Sequence, residues 1–262
     1  MITRRGVVGI GAAVGIAAVA VRHATAQRGA GRQVTIEARP AAISIDTART
    51  AVIVVDMQND FGSKSGMFDR AGIDISGIQK AVVPTAHVLE IARNAGIKVV
   101  YLKMAYQPDL SDLGDPDSVN RIRHLQLGVG RDVTAPDGSP SRVLIRDTWN
   151  SDILAELKPH ADDTVIYKTR FSGFYKTDLD ARLRDLDIKN LIITGCTTSI
   201  CVESTVRDAM FRDYLCVLLG DCMSEPIGGQ LQRSNHDASL LSTEVLLGWV
   251  SDSHSFAAAL KS

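Results

Sequence analysis

The stretch NLIITGCTTSICVESTVRDA, Asn190 to Ala209, changes its pattern partway along. Its opening, NLIITG, is a short apolar run rich in Ile, of the length and composition of a buried strand. Small and hydroxyl residues follow as a turn, and then a helix-like pattern begins near Cys201. A strand that passes straight into a helix, with no hairpin signal between, is the building unit of a parallel sheet.

The same unit recurs on both sides. TAVIVVD (50–56), IKVVYLK (97–103), TVIYK (164–168) and LCVLLGD (215–221) read as further strands, and EVLLGWV (244–250) as a sixth short or edge strand. Between them, helical spacing of three and four residues appears at 75–94, with Gly96 as its stop. Helices are also expected at 152–157, 177–188, 199–214 and 229–242. Such alternation implies right-handed crossovers and a mostly parallel sheet covered by helices on both faces, a three-layer α/β/α, Rossmann-like fold. The segment 105–147 breaks the alternation. It holds Pro108, Pro116, Pro136 and Pro140, and a connection this long reads as a lid, a binding loop or a mobile insert.

Residues 27–48 are polar and irregular, an arm with one short strand expected, so the α/β domain runs over 49–262. Before the arm, Arg4 and Arg5 precede an apolar Gly/Ala-rich run, and ATA ends at residue 26. This is the layout of an export signal of the twin-arginine type, which carries folded proteins and places the mature chain in a periplasm. The competing reading is an uncleaved anchor, for which the run is short against a span of roughly 20 residues. With a net charge of −1, the chain offers no electrostatic case for nucleic acid or anionic lipid.

Four cysteines, Cys196, Cys201, Cys216 and Cys222, lie close together without any C-x-x-C pair, which argues against structural zinc. Cys216 reads as a core residue. Cys196 and Cys222 each follow an expected strand, and an exported protein could join them in a disulfide.

Ligands of open parallel sheets bind beyond the carboxyl ends of the strands. Three chemically distinctive residues fall there. Asp56 closes the first strand in VVDMQNDF, Lys168 closes the third in VIYKTRFSGF, and Cys201 follows the fourth by one turn. Singly, each has an ordinary reading, as a loop cap, a solvated strand end and a packed thiol. Together they offer a carboxylate, an ammonium and a thiol at one cleft edge. A helix N-terminus and a neighbouring ammonium should lower the thiol pKa. Backbone N–H groups at Thr197 and Cys201 could form an oxyanion hole, and the set specifies acyl transfer.

The motifs VVDMQNDF, YKTRFSGF and GCTTSICVESTVRDA resemble, in kind and in order, those of the isochorismatase-like cysteine hydrolases, over residues 50–250. SGF, TSICVESTVRDA and GWVSD look closest to the ureidoacrylate amidohydrolase and biuret hydrolase branch. The resemblance implies a triad of Asp56, Lys168 and Cys201, a six-stranded parallel sheet, a cis peptide at Cys196–Thr197, and a homo-oligomer. It implies hydrolysis of a small amide, ureido or carbamoyl compound through a thioester, with no cofactor. The Asp-x-His metal motif of the nicotinamidase branch is absent from YLKMAYQPDL, so no metal is expected. Met104 and Phe171 stand where the ureidoacrylate branch has Asn and Tyr, which counts against ureidoacrylate itself.

Gln58, Phe61, Phe171 and Tyr175 are candidate substrate contacts, and Tyr106 with the insert could cover the site. Arg207 and Asp208 read as a structural ion pair. None of the six His is expected beside the trio, and His236 reads as a surface or oligomer residue. Two other functions stand beside the amidohydrolase. A vinyl-ether hydrolase of the isochorismatase type would not need Cys201, and a non-catalytic binding protein would not need the trio.

Overall fold

The structure is a computed structural model, described over residues 31–261. The expected export signal, residues 1–26, lies outside them. Among the described residues no helix is long and apolar enough to cross a membrane.

The described residues open with an antiparallel pair, β1 (Gln33–Ile36) and β2 (Ile43–Asp46). The arm therefore carries two strands rather than one. It is docked, because Arg39 and Val250 exchange both backbone hydrogen bonds at the sheet edge (2.8 and 3.0 Å). Then come β3 (Thr50–Val55), the short helices α1 (Asn59–Gly62) and α2 (Met67–Arg70), the long α3 (Ser76–Asn94) and β4 (Lys98–Met104). The insert holds α4 (Val119–Gln126) and a small hairpin of β5 (Asp132–Thr134) and β6 (Pro140–Arg142). After it come β7 (Thr164–Lys168), α5 (Leu179–Asp185), β8 (Asn190–Cys196), α6 (Glu203–Met210), β9 (Leu215–Ser224), α7 (Asn235–Ser242), β10 (Trp249–Ser251) and α8 (Ser253–Lys261).

Six strands form one parallel sheet in the order β10-β9-β8-β3-β4-β7. Alternate residues of β3 explain why. Val52 and Val54 pack with Ile78, Val82 and Leu89 of α3 and with Phe256 of α8. Ala51, Ile53 and Val55 pack on the other face with Leu179 and Leu183 of α5 and Val206 and Ala209 of α6. Each large apolar side chain removed from water in this way contributes on the order of 1.5–3 kcal/mol. That requirement fixes three layers, since both faces of β3 need a cover.

The chain winds outward from β3 to β4 and β7, then returns so that β8 lies on the opposite side of β3. The carboxyl ends of β3 and β8 thus meet at the point where strand order reverses, the place where such sheets form a crevice. Gly195 permits the close pairing there. Its φ is +116°, and a Cβ on it would lie 2.0 Å from the Val55 carbonyl oxygen.

Two expected helices differ. At 152–157 there is only a single 3-10 turn, Ala155–Leu157. The neighbouring backbone is claimed by tertiary bonds, as the Leu154 N–H donates to Met57 O at 3.0 Å and Asp152 O accepts from the Asn59 N–H at 2.8 Å. The helix expected over 229–242 begins only at Asn235, where the Ser234 side chain accepts the Asp237 N–H. The insert is packed down rather than loose. Leu113, Val129, Val143, Leu144 and Ile145 are buried in the main core, and buried Asp60 accepts the Leu144 N–H at 2.6 Å.

Candidate active site

Asp56 follows β3 directly, with a left-handed backbone (φ 51°) that is uncommon for a residue bearing a side chain. Its N–H donates to Leu102 O (3.0 Å), and its own carbonyl accepts from the Gln58 N–H (2.8 Å) and the Cys196 thiol (3.2 Å). The backbone turn is therefore held from three sides. Lys168, the last residue of β7, is level with Met104 in the ladder and reaches across it. Its Nζ lies 2.7 Å from Asp56 Oδ2, 3.2 Å from Arg170 O and 3.4 Å from Met104 Sδ. Both charged side chains are only 1% exposed.

Cys201 completes the group. After the cis peptide at Cys196–Thr197 the chain makes one π-helical turn, Thr198–Val202, and only then enters α6. Such turns recur at functional sites because they re-aim a single side chain. Here the turn sets the buried Cys201 thiol near Asp56 and Lys168, whose charges act on it in opposite senses. Glu225, buried beyond β9, anchors the turn. Its Oε2 accepts from Ser199 N (2.9 Å) and Ser199 Oγ (2.5 Å), and its Oε1 accepts from Ile227 N (2.9 Å). His236 is half-buried, and its Nδ1 lies 2.9 Å from Thr198 Oγ1. Among the described residues no protein acceptor takes the Thr197 N–H.

The electrostatics differ from the sequence expectation. Burial pushes the Cys201 thiol up rather than down, and Lys168 offsets only part of that. The dipole of one turn is too weak to stabilise a thiolate enclosed beside a carboxylate. Burial also raises the Asp56 carboxyl, against the opposing pull of Lys168. For Lys168, burial works against the ammonium, but the facing Asp56 and Cys201 outweigh it and hold its pKa above the ordinary range. The thiol is neutral and faces the Asp56–Lys168 pair, whose N···O separation is 2.7 Å. A raised Asp56 is the stronger base for it, so the thiol proton can leave as a bond to carbon forms.

The other candidates separate. Gln58, expected at the substrate, is fully buried and spends its amide on structure: Nε2 donates to Met104 O (3.0 Å) and Ser151 O (2.8 Å), and Oε1 accepts the Met104 N–H (2.7 Å). Phe61, also expected there, is a core residue packed edge-on to Phe68, with ring centres 5.0 Å apart. Phe171 is 41% exposed and faces the His124 ring at 5.8 Å, a position open to a ligand. Tyr175 is 44% exposed, between Arg170 and Lys176. Arg207 and Asp208 do not pair with each other; Arg207 binds Glu203 and Asp208 binds Arg212 along α6. All four cysteines are free, so Cys196 and Cys222 are not joined. Each lies within its strand instead of after it, and the two side chains are separately buried.

Two residues near the site escaped the sequence reading. Glu225 gives no motif signal. His124 lies in the irregular insert, and only the Ser118 cap ahead of α4 hints at a helix there. Among the described residues no cluster of three or more His, Cys, Asp or Glu side chains could hold a metal ion.

Comparison with known proteins identifies the family. Residues 50–255 match the isochorismatase domain family. The chain is 38% identical over 229 residues to the ureidoacrylate amidohydrolase RutB of Methylorubrum extorquens, covering 87% of this chain and 90% of that one. It is 37% identical over 223 residues to the RutB of Caulobacter segnis, covering 85% and 90%. Among solved structures, a cysteine hydrolase from Pseudomonas syringae pv. phaseolicola aligns with a TM-score of 0.68 at 30% identity, over 83% of this chain and 94% of that one. N-carbamoylsarcosine amidase from Thermoplasma acidophilum aligns at 0.57 with 28% identity, over 78% and 96%.

Proposed function

The chain belongs to the isochorismatase family of hydrolases, and from that premise we propose that it is a cysteine-dependent amidohydrolase. Its substrate would be a small amide, ureido or carbamoyl compound, cleaved at a C–N bond through a thioester. The observation that carries this reading is the meeting of Asp56, Lys168 and Cys201 in one water-poor pocket at the reversal of the sheet.

The steps follow from the charges. Asp56 accepts the Cys201 proton as sulfur attacks the carbonyl carbon, so no free thiolate has to form in the buried site. The oxyanion settles on the N–H groups of Thr197 and Cys201, where one donor is typically worth roughly 3–4 kcal/mol. Asp56 then protonates the departing nitrogen, and ammonia or an amine leaves. Asp56 next takes a proton from water, which attacks the thioester, and returns that proton to sulfur as the acid is released. Lys168 keeps its charge throughout and holds Asp56 in place.

Met104 contacts Lys168 through its sulfur, and Phe171 offers no hydroxyl, so two polar contacts expected in the ureidoacrylate branch are missing. This favours a different ureido or carbamoyl compound. We also propose that residues 1–26 act as a twin-arginine export signal ahead of an arm and one hydrolase domain, and that the chain forms a homo-oligomer. The exposed apolar side chains of Leu241, Val245 and Leu246 support the last point.

The test is ammonia or amine release from a panel of ureido compounds, carbamates and primary amides. Wild type should hydrolyse at least one, and Cys201→Ala should lose about a thousandfold or more. Near-normal turnover by Cys201→Ala would refute the covalent route.

A further inference from the structure

The insert helix α4 carries a buried imidazole packed against Phe171, three residues past Lys168. His124 is 6% exposed, and its ring is held between two aromatic neighbours, Tyr106 at 5.5 Å edge-on and Phe171 at 5.8 Å tilted. Phe171 stands three residues after Lys168, and Tyr106 two after Met104, so the ring lies over the ends of β4 and β7.

The tautomer follows from the hydrogen bonds. His124 Nδ1 lies 2.7 Å from the carbonyl oxygen of Asn120, one helical turn back. A carbonyl can only accept, so Nδ1 carries the proton. Burial lowers the imidazole pKa, and the cations Lys168 and Arg170 act in the same sense. The ring is therefore neutral, and Nε2 is an acceptor with a free lone pair. Among the described residues it has no partner. Its neighbours are already committed. The Tyr106 hydroxyl accepts from Asn120 Nδ2 (3.2 Å) and donates to Thr169 O (3.4 Å), while Asn120 Nδ2 also donates to Leu113 O (2.8 Å).

We propose that His124 Nε2 accepts a hydrogen bond from a substrate N–H, and that this contact selects carbamoyl and ureido groups over acyl groups of the same shape. The inference rests on the amidohydrolase reading for the identity of the pocket. The chemistry is one-sided. A neutral acceptor rewards a terminal –NH2, gains nothing from a methyl group, and repels the oxygens of a carboxylate. The flanking Phe171 and Tyr106 rings suit a planar group.

The test is a binding comparison in the full-length Cys201→Ala protein, using N-carbamoylglycine and its isostere N-acetylglycine. The carbamoyl compound should bind about tenfold or more tightly, the effect expected of one desolvated hydrogen bond. In Cys201→Ala/His124→Phe the preference should fall to within about threefold, and His124→Gln, which keeps a neutral acceptor, should restore much of it. If His124→Phe fails to fold, histidine 15N shifts report instead: N-carbamoylglycine should move the Nε2 signal of His124 and leave Nδ1 protonated. An unchanged preference in His124→Phe, an unmoved Nε2 signal, or binding of neither compound overturns the inference. Wild-type hydrolysis assays separate this result from the amidohydrolase reading. A preference that tracks His124 without any hydrolysis would sink the reading and leave the contact standing.

Discussion

Replacing Lys168 with Met removes the ammonium while keeping most of the side-chain volume. In the wild type Nζ is 2.7 Å from Asp56 Oδ2, and both side chains are at most 1% exposed. Removing one partner of a buried pair leaves an uncompensated charge, at a cost of about 3–5 kcal/mol. With a urea m-value of about 3 kcal/mol/M, the unfolding midpoint at pH 8 should fall by more than about 1 M. The loss should depend on pH. Without Lys168 the folded pKa of Asp56 rises further above its unfolded value. Its contribution is then fully present below the unfolded pKa and is lost as pH rises through the folded one. Lys168→Met should therefore be far less damaged at pH 5 than at pH 8. Adding Asp56→Asn should recover much of the stability at pH 8, since a neutral pair needs no counter-charge. Urea unfolding of the two variants and wild type at both pH values checks this. A pH-independent loss, or no rescue in the double variant, would refute a buried ion pair. Neither variant should hydrolyse substrate.

Three other consequences are as specific. Burial raises the Asp60 carboxyl from its ordinary value of 3.8 to about 6 against three hydrogen bonds, so its stabilising contribution is full below pH 4 and lost by about pH 6. Relative to wild type, Asp60→Asn should gain up to about 3 kcal/mol between pH 4 and pH 7, and a constant difference in unfolding free energy would contradict the assignment. Gly195→Ala sets a Cβ against the Val55 carbonyl at a φ of +116°; circular dichroism melts should show an unfolded chain or a loss above about 3 kcal/mol, and a wild-type melt would mean that β3 and β8 pair differently. Glu225→Ala strips acceptors from Ser199 and Ile227, so kcat should fall about tenfold or more with KM little changed, and Glu225→Gln should recover part of it; steady-state kinetics showing a pure KM effect would place Glu225 at the substrate instead.

The sheet and the trio were legible in the sequence because they depend on local pattern. β3, β7 and β8 are apolar runs; Asp56 follows the first, Lys168 ends the second and Cys201 comes one turn after the third, and a parallel sheet gathers such ends at one edge. What stayed hidden depends on distant pairings. Gln58 sits in the same motif as Asp56, yet its amide is claimed by Met104 and Ser151, which no spacing rule foretells. The stretch at 152–157 has helical composition, but the Met57 carbonyl takes the Leu154 N–H and the Asn59 N–H takes the Asp152 carbonyl. The thiol pKa was misjudged because sequence shows the neighbouring cation and the helix start, whereas enclosure, the larger effect, emerges only from packing. His124 was overlooked because an insert without periodicity gives no hint of which residue will turn inward.

The most direct measurement is acid-quenched intact-mass and peptide-mass analysis of wild type during turnover of a substrate found in the panel. The substrate acyl group should appear as a transient adduct on the peptide containing Cys201, vanish when substrate is exhausted, and be absent from Cys201→Ser under the same quench. Steady turnover with no adduct on that peptide, or with the adduct on Cys196 instead, would contradict a mechanism built on Asp56, Lys168 and Cys201.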